Sequence, residues 1–112
     1  MMRFCLTLDL VPDAESIATY EAWHREVWPE IVTSIRDAGI LSMEIYRASN
    51  RLFMIIDTLP TFSFAAKASA DAANPRVREW EFLMSKFQQP LPFAAPGEKW
   101  VPMERIFNLP EI

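Results

Sequence analysis

The chain reads as an α+β domain, a ferredoxin-like sandwich of βαββαβ order spanning residues 1–112. Three observations predict it. Segments that alternate apolar and polar residues are separated by segments of helical spacing, in the order β, α, β, β, α, β. A proline, Pro102, falls inside the last strand, where only a sheet edge or a bulge tolerates one. One face of the sheet mixes polar and aliphatic residues, so it needs a partner or a ligand to cover it. Two such sheets packed face to face would supply that cover.

The first strand runs from Arg3 to Leu10. Phe4, Leu6, Leu8 and Leu10 point one way; Arg3, Cys5, Thr7 and Asp9 point the other. Pro12-Asp13 ends it, and Asp13 suits the N-cap of a helix with Glu15 in its first turn. Ile17, Tyr20, His24, Val27, Ile31 and Ile35 recur at steps of three or four and form one helical face. Glu21 and Arg25 stand at i,i+4 on another side. Pro29 either kinks this helix or begins a second piece, and Gly39 closes it.

Leu41 to Tyr46 alternates again. Ala48-Ser49-Asn50 makes a turn, and Leu52 to Thr58 completes a hairpin. A short alanine-rich helix follows from Pro60-Thr61 to near Asp71. Asn74-Pro75 restarts the helical pattern as N-cap and first residue. Val77, Trp80, Met84 and Phe87 form its stripe, with Leu83 beside it. Gln88 to Gly97 carries three prolines and reads as an extended loop. Lys99 to Phe107 is the expected last strand.

Composition narrows the function. At 112 residues the chain can bury a modest core, and 51% hydrophobic content argues against disorder. The net charge is −4 with no basic stripe, which argues against nucleic acid. No apolar run reaches the roughly 18 residues of a membrane span. The N-terminal Met1-Met2-Arg3-Phe4 does not read as a signal peptide, and the single Cys5 has no internal disulfide partner. The expectation is cytoplasmic, with no metal and no cofactor. One histidine and one cysteine give no zinc or iron pattern. Two glycines, Gly39 and Gly97, allow neither a P-loop nor a dinucleotide loop, and no G-x-S-x-G is present.

His24 is the only side chain whose ordinary pKa lies near neutrality. It falls one turn after Tyr20 and about one turn before Trp28. Held against a hydroxyl-rich ligand, it would move protons. The same spacing suits a core or interface histidine satisfied by a carbonyl. Tyr20 at i−4 would orient the imidazole, bind a hydroxyl, or simply pack. Trp23, Trp28, Trp80 and Trp100 offer indole faces for sugar rings, and serve equally as core. Glu44, Glu81, Asp9 and Asp57 are carboxylates able to accept hydroxyls or protons, or to remain solvated.

Tyr20-Glu21-Ala22-Trp23-His24-Arg25-Glu26-Val27-Trp28-Pro29-Glu30 resembles the Y-x-x-x-H, W-P-E signature of the L-rhamnose mutarotase family. The likeness continues through Gly39, Glu44-Ile45-Tyr46, Leu52-Phe53-Met54, Trp80 and Met103-Glu104-Arg105-Ile106-Phe107. It implies a homodimeric α/β barrel, an isomerase that interconverts the α and β anomers of a 6-deoxyhexose. It implies His24 as catalytic residue and Tyr20 and Trp80 as sugar contacts. Two positions depart from the pattern. Glu81 stands where the family has a second tryptophan, and Met43 stands where it has a substrate-contacting tyrosine. Both are substrate-binding positions by resemblance. Asn74-Pro75-Arg76 and Pro96-Gly97-Glu98-Lys99-Trp100 resemble the branch linked to L-fucose, and L-fucose and L-rhamnose both stay open.

The reaction needs a base at the anomeric hydroxyl and an acid at the ring oxygen. His24 is one proton carrier; the other is a carboxylate such as Glu44, or water. Rival readings are a cofactor-free or haem-binding dimeric α/β-barrel monooxygenase, with His24 as haem ligand, and a non-catalytic sugar-binding module.

Overall fold

Alternation in the first segment does what it predicts. In the computed structural model, which describes residues 1–110, strand β1 (Met2–Leu10) buries Leu6, Leu8 and Leu10. Helix α1 (Ala14–His24) starts on Asp13, whose carboxylate accepts from the Ser16 amide at 3.0 Å. The helical pattern then divides. Helix α2 (Pro29–Asp37) is a separate piece with Pro29 in its first turn. Proline lacks the N–H that would continue the ladder and its ring crowds the preceding turn, so residues 25–28 leave the helix. Gly39 turns the chain at φ +92°, and its carbonyl accepts from the Leu59 amide at 2.9 Å.

Strands β2 (Ile40–Ala48) and β3 (Arg51–Thr58) form the hairpin, with Ser49 at φ +54° in the turn. Helix α3 (Phe64–Ala72) is capped by Ser63. Helix α4 (Pro75–Ser85) is capped by Asn74, whose side chain accepts from the Arg76 and Val77 amides. Two short strands follow, β4 (Gln88–Gln89) and β5 (Val101–Pro102). The sheet order is β2-β3-β1-β4, with β5 also paired to β1, and all pairings are antiparallel. This is the ferredoxin-like arrangement, with the first strand inside and the hairpin to one side.

Two expectations are corrected. Gln88-Gln89, expected as loop, pairs with Leu10 and Asp9. The last strand, expected over 99–107, is ordered into the sheet only at Val101–Pro102 and by the Met103 amide donating to the Cys5 carbonyl at 2.7 Å. Pro102 offers no amide to the ladder, and beyond Met103 the chain leaves the sheet. Ile106, Phe107 and Leu109 are then 73–93% exposed.

The helices cover one sheet face. Leu10 and Leu52 from the sheet pack with Tyr20, Ile31, Val77, Trp80 and Met84 from the helices. A second cluster gathers Leu6, Ile40 and Ile56; Ile35 and Trp100 touch both clusters. The other face is open. Its register sets Thr7 beside Phe53 and Tyr46, and Cys5 beside Ile55 and Glu44. The Arg3–Asp57 and Arg51–Asp9 ion pairs close its two ends.

Candidate active site

His24 is the last residue of α1, and its place at a helix end sets its chemistry. Its Nδ1 lies 2.8 Å from the Tyr20 carbonyl oxygen. A carbonyl only accepts, so Nδ1 carries the proton and Nε2 keeps a free lone pair. The ring is half-buried, 4.3 Å from the Tyr20 ring and 5.6 Å edge-on from the Trp80 ring. Burial pulls the imidazole pKa below its ordinary 6.5, against the smaller upward pull of the Tyr20 carbonyl. The group is therefore a neutral base at neutral pH.

Tyr20 is buried. Its phenol is pushed up to about 12, chiefly by burial, with the Gln88 side chain beside it pulling the other way. The phenol stays protonated and can donate. The Gln88 Oε1 is buried and has no protein partner among the described residues. An acceptor in that state needs a hydroxyl or water nearby. Sequence reading missed Gln88; its neighbours Gln89 and Pro90 make it look like loop.

Trp80 is buried against Trp28 at 5.1 Å and Trp23 at 6.4 Å, with all contacts edge-on. The Arg76 guanidinium lies 3.7 Å over Trp28 and bonds to Glu30 and Glu79. This stack fixes Trp80, which in turn fixes one edge of His24.

Beside the imidazole lies a cavity of about 430 Å³, lined by Tyr20, Glu21, His24, Arg25, Ile45, Tyr46, Arg47 and Leu52. The volume lies in the range of small-ligand pockets. Ile45 and Leu52 form its apolar wall. Glu21 on α1 and Arg47 on β2 join as an ion pair across it. The expected Glu21–Arg25 pairing is thus replaced by one between the two walls. Arg47 continues the period-two series Met43, Ile45, Arg47, which places it on the helix-covered side of β2.

The sequence-predicted residues separate here. Tyr20 and His24 share the cavity; Trp80 touches His24 from behind without lining it. Met43 packs with the Leu6–Ile40–Ile56 cluster instead. Glu81 is exposed, and its backbone carbonyl accepts from Lys99 Nζ at 3.2 Å. Glu44 lies on the open sheet face, where it accepts from the Tyr46 hydroxyl at 2.5 Å. Asp9 and Asp57 are held by Arg51 and Arg3. No cluster of three or more metal-ligating side chains occurs among the described residues.

The family model for L-rhamnose mutarotase matches residues 3–109. The chain is 51% identical to an L-fucose mutarotase of Xanthomonas campestris pv. campestris, over 99% of this chain and 90% of that protein. It is 32% identical to an L-rhamnose mutarotase of Acidiphilium cryptum, over 88% and 90% respectively. The crystal structure of an L-rhamnose mutarotase from Formosa agariphila superposes with a TM-score of 0.72 at 20% identity, covering 98% of this chain and 100% of that one.

Proposed function

The chain belongs to the L-rhamnose mutarotase family and is a carbohydrate isomerase that interconverts anomers; we propose that it acts on L-fucose and L-rhamnose with His24 as the proton carrier. What carries this reading is the neutral imidazole. Its Nδ1–H is occupied by the Tyr20 carbonyl, its Nε2 has no partner among the described residues, and a sugar-sized cavity lies beside it. The Ile45–Leu52 wall suits the methyl group that distinguishes a 6-deoxyhexose.

His24 Nε2 takes the proton of the anomeric hydroxyl. The bond between the anomeric carbon and the ring oxygen breaks, its electron pair goes to the ring oxygen, and that oxygen takes a proton from water, which the imidazolium reprotonates. The carbonyl group so formed rotates, and the same steps run backward on its other face. Nothing is oxidised or reduced. Because Glu44 points to the opposite sheet face, the second proton passes through water rather than through that carboxylate. Trp80, braced by Trp23 and Trp28, serves in this reading by holding the imidazole edge rather than by stacking on the sugar.

The expected outcome is that His24→Ala abolishes enzyme-dependent anomer exchange of L-fucose and L-rhamnose in exchange NMR, while circular dichroism is unchanged. Exchange at the parent rate would remove His24 from the mechanism.

We further propose a homodimer in the cytoplasm, with the open sheet face as its contact. Phe53 and Ile55 there are half-buried, and the exposed Ile106, Phe107 and Leu109 are further apolar side chains that a partner could cover. Among the described residues, no helix is long and apolar enough to cross a membrane.

A further inference from the structure

We propose that Glu21 and Arg47 form a hydroxyl-binding clamp across the His24 cavity, and that this clamp selects and orients the sugar. The inference rests on the mutarotase reading only in taking the ligand to be a sugar.

The two residues come from different walls. Glu21 follows Tyr20 on α1, three residues before His24, so its side chain shares the imidazole's side of the helix. Arg47 lies two residues beyond Ile45 on β2. Their ion pair joins the walls of a cavity that both line. Arg47 Nη1 also donates to the Ser49 carbonyl at 2.9 Å, so the guanidinium is held from two directions. That leaves further N–H donors on the fork, and the second carboxylate oxygen of Glu21, without partners among the described residues.

Folding gives little reason for this arrangement. The side chains are 37% and 40% exposed, and an ion pair that open to water adds little stability while immobilising two long side chains. Ligand chemistry gives a better one. A pyranose presents adjacent hydroxyls, each both donor and acceptor. A carboxylate accepts from one hydroxyl and the guanidinium beside it donates to the next, in a fixed geometry. Held so, the ring has one orientation in which its anomeric hydroxyl faces Nε2. Sugars that differ in hydroxyl configuration meet the clamp differently, which makes these two residues the discriminators between L-fucose and L-rhamnose.

The test is affinity, measured apart from turnover. L-fucose and L-rhamnose are titrated into the parent, Glu21→Gln, Arg47→Leu and Arg47→Lys by tryptophan fluorescence, and anomer exchange is followed by NMR. Glu21→Gln and Arg47→Leu are expected to weaken Kd by about tenfold, as loss of a charge-assisted hydrogen bond implies, and to change the ratio between the two sugars. The change should appear in KM through the lost hydrogen bond and in kcat through the lost orientation of the ring. Arg47→Lys, which keeps the charge and loses the fork, should recover only part of the affinity. Variants that bind both sugars with the parent's affinity and ratio would overturn the clamp. A parent that binds the sugars without accelerating exchange would refute the mutarotase reading, and the clamp would still be decided by the variants' affinities. A parent that binds neither sugar would overturn both.

Discussion

At His24 two opposing effects meet. The helix end and the Tyr20 carbonyl favour the imidazolium, burial favours the neutral ring, and burial is the larger. The consequences for pH have a definite sign. As pH falls, the unfolded chain takes up its proton near 6.5, before the folded chain does. Stability is therefore unaffected by this group well above 6.5, and it declines as pH drops from 6.5 through the lower folded value. His24→Asn should remove that part of the pH dependence in denaturant melts. In the proposed mechanism activity follows the same group. The acid limb of kcat/KM is expected with a midpoint below 6.5, as read by anomer exchange across pH 4.5 to 8. A midpoint above 6.5 would contradict the burial argument. Trp80 is the complementary case. It is 8% exposed, so Trp80→Ala should cost about 3–5 kcal/mol of stability in chemical denaturation. Trp80→Phe, which keeps an aromatic edge, should cost much less.

At the scale of elements, punctuation residues set the boundaries. Asn74 accepts two amides at the start of α4, and Asn74→Ala should destabilise by about 1 kcal/mol in urea unfolding. Gly39 sits at φ +92°, where a Cβ would meet Leu59 Cδ1 at an ordinary 3.6 Å. The penalty for Gly39→Ala is thus one of backbone and not of space, about 1 kcal/mol or more by the same measurement. The caps Asp13 and Asn74, the prolines Pro29 and Pro75 and this glycine are legible in the sequence, because each acts within a few residues of itself; the helix expected from Pro60-Thr61 instead starts at Phe64 on Ser63. The last strand is not legible in this way. Val101 and its neighbours alternate well enough to read as strand, yet ladder bonds depend on what the chain runs beside, and after the Met103 amide bonds to Cys5 the chain no longer follows β1, which itself continues to Met2.

At the scale of the molecule, the proposed homodimer takes the open sheet face as its contact. Phe53 and Ile55 lie between two ion pairs on a surface that the helices do not reach. A second copy placed there buries its own equivalent strip. Sedimentation of the parent should give twice 13.0 kDa. Ile55→Asp, which sets a carboxylate in the centre of that strip, should give a monomer of unchanged helix content. A monomeric parent would dismiss this interface.

The sequence by itself determined the order of elements as far as α4, the sides of the main strands and helices, and the adjacency of Tyr20 and His24. These follow from periods of two and 3.6 and from local backbone chemistry. Only the tertiary structure decided which distant groups share the cavity. It brought Arg47 to Glu21, 26 residues away, and Gln88 to Tyr20. It sent Glu44 to the opposite face, and it left Met43 and Glu81 off the cavity wall. The reason is physical. Periodicity states which face a side chain occupies, but not which residue from another element meets it there. That depends on sheet register and on how the helices seat against the sheet, and both are set by the packing of the whole core at once.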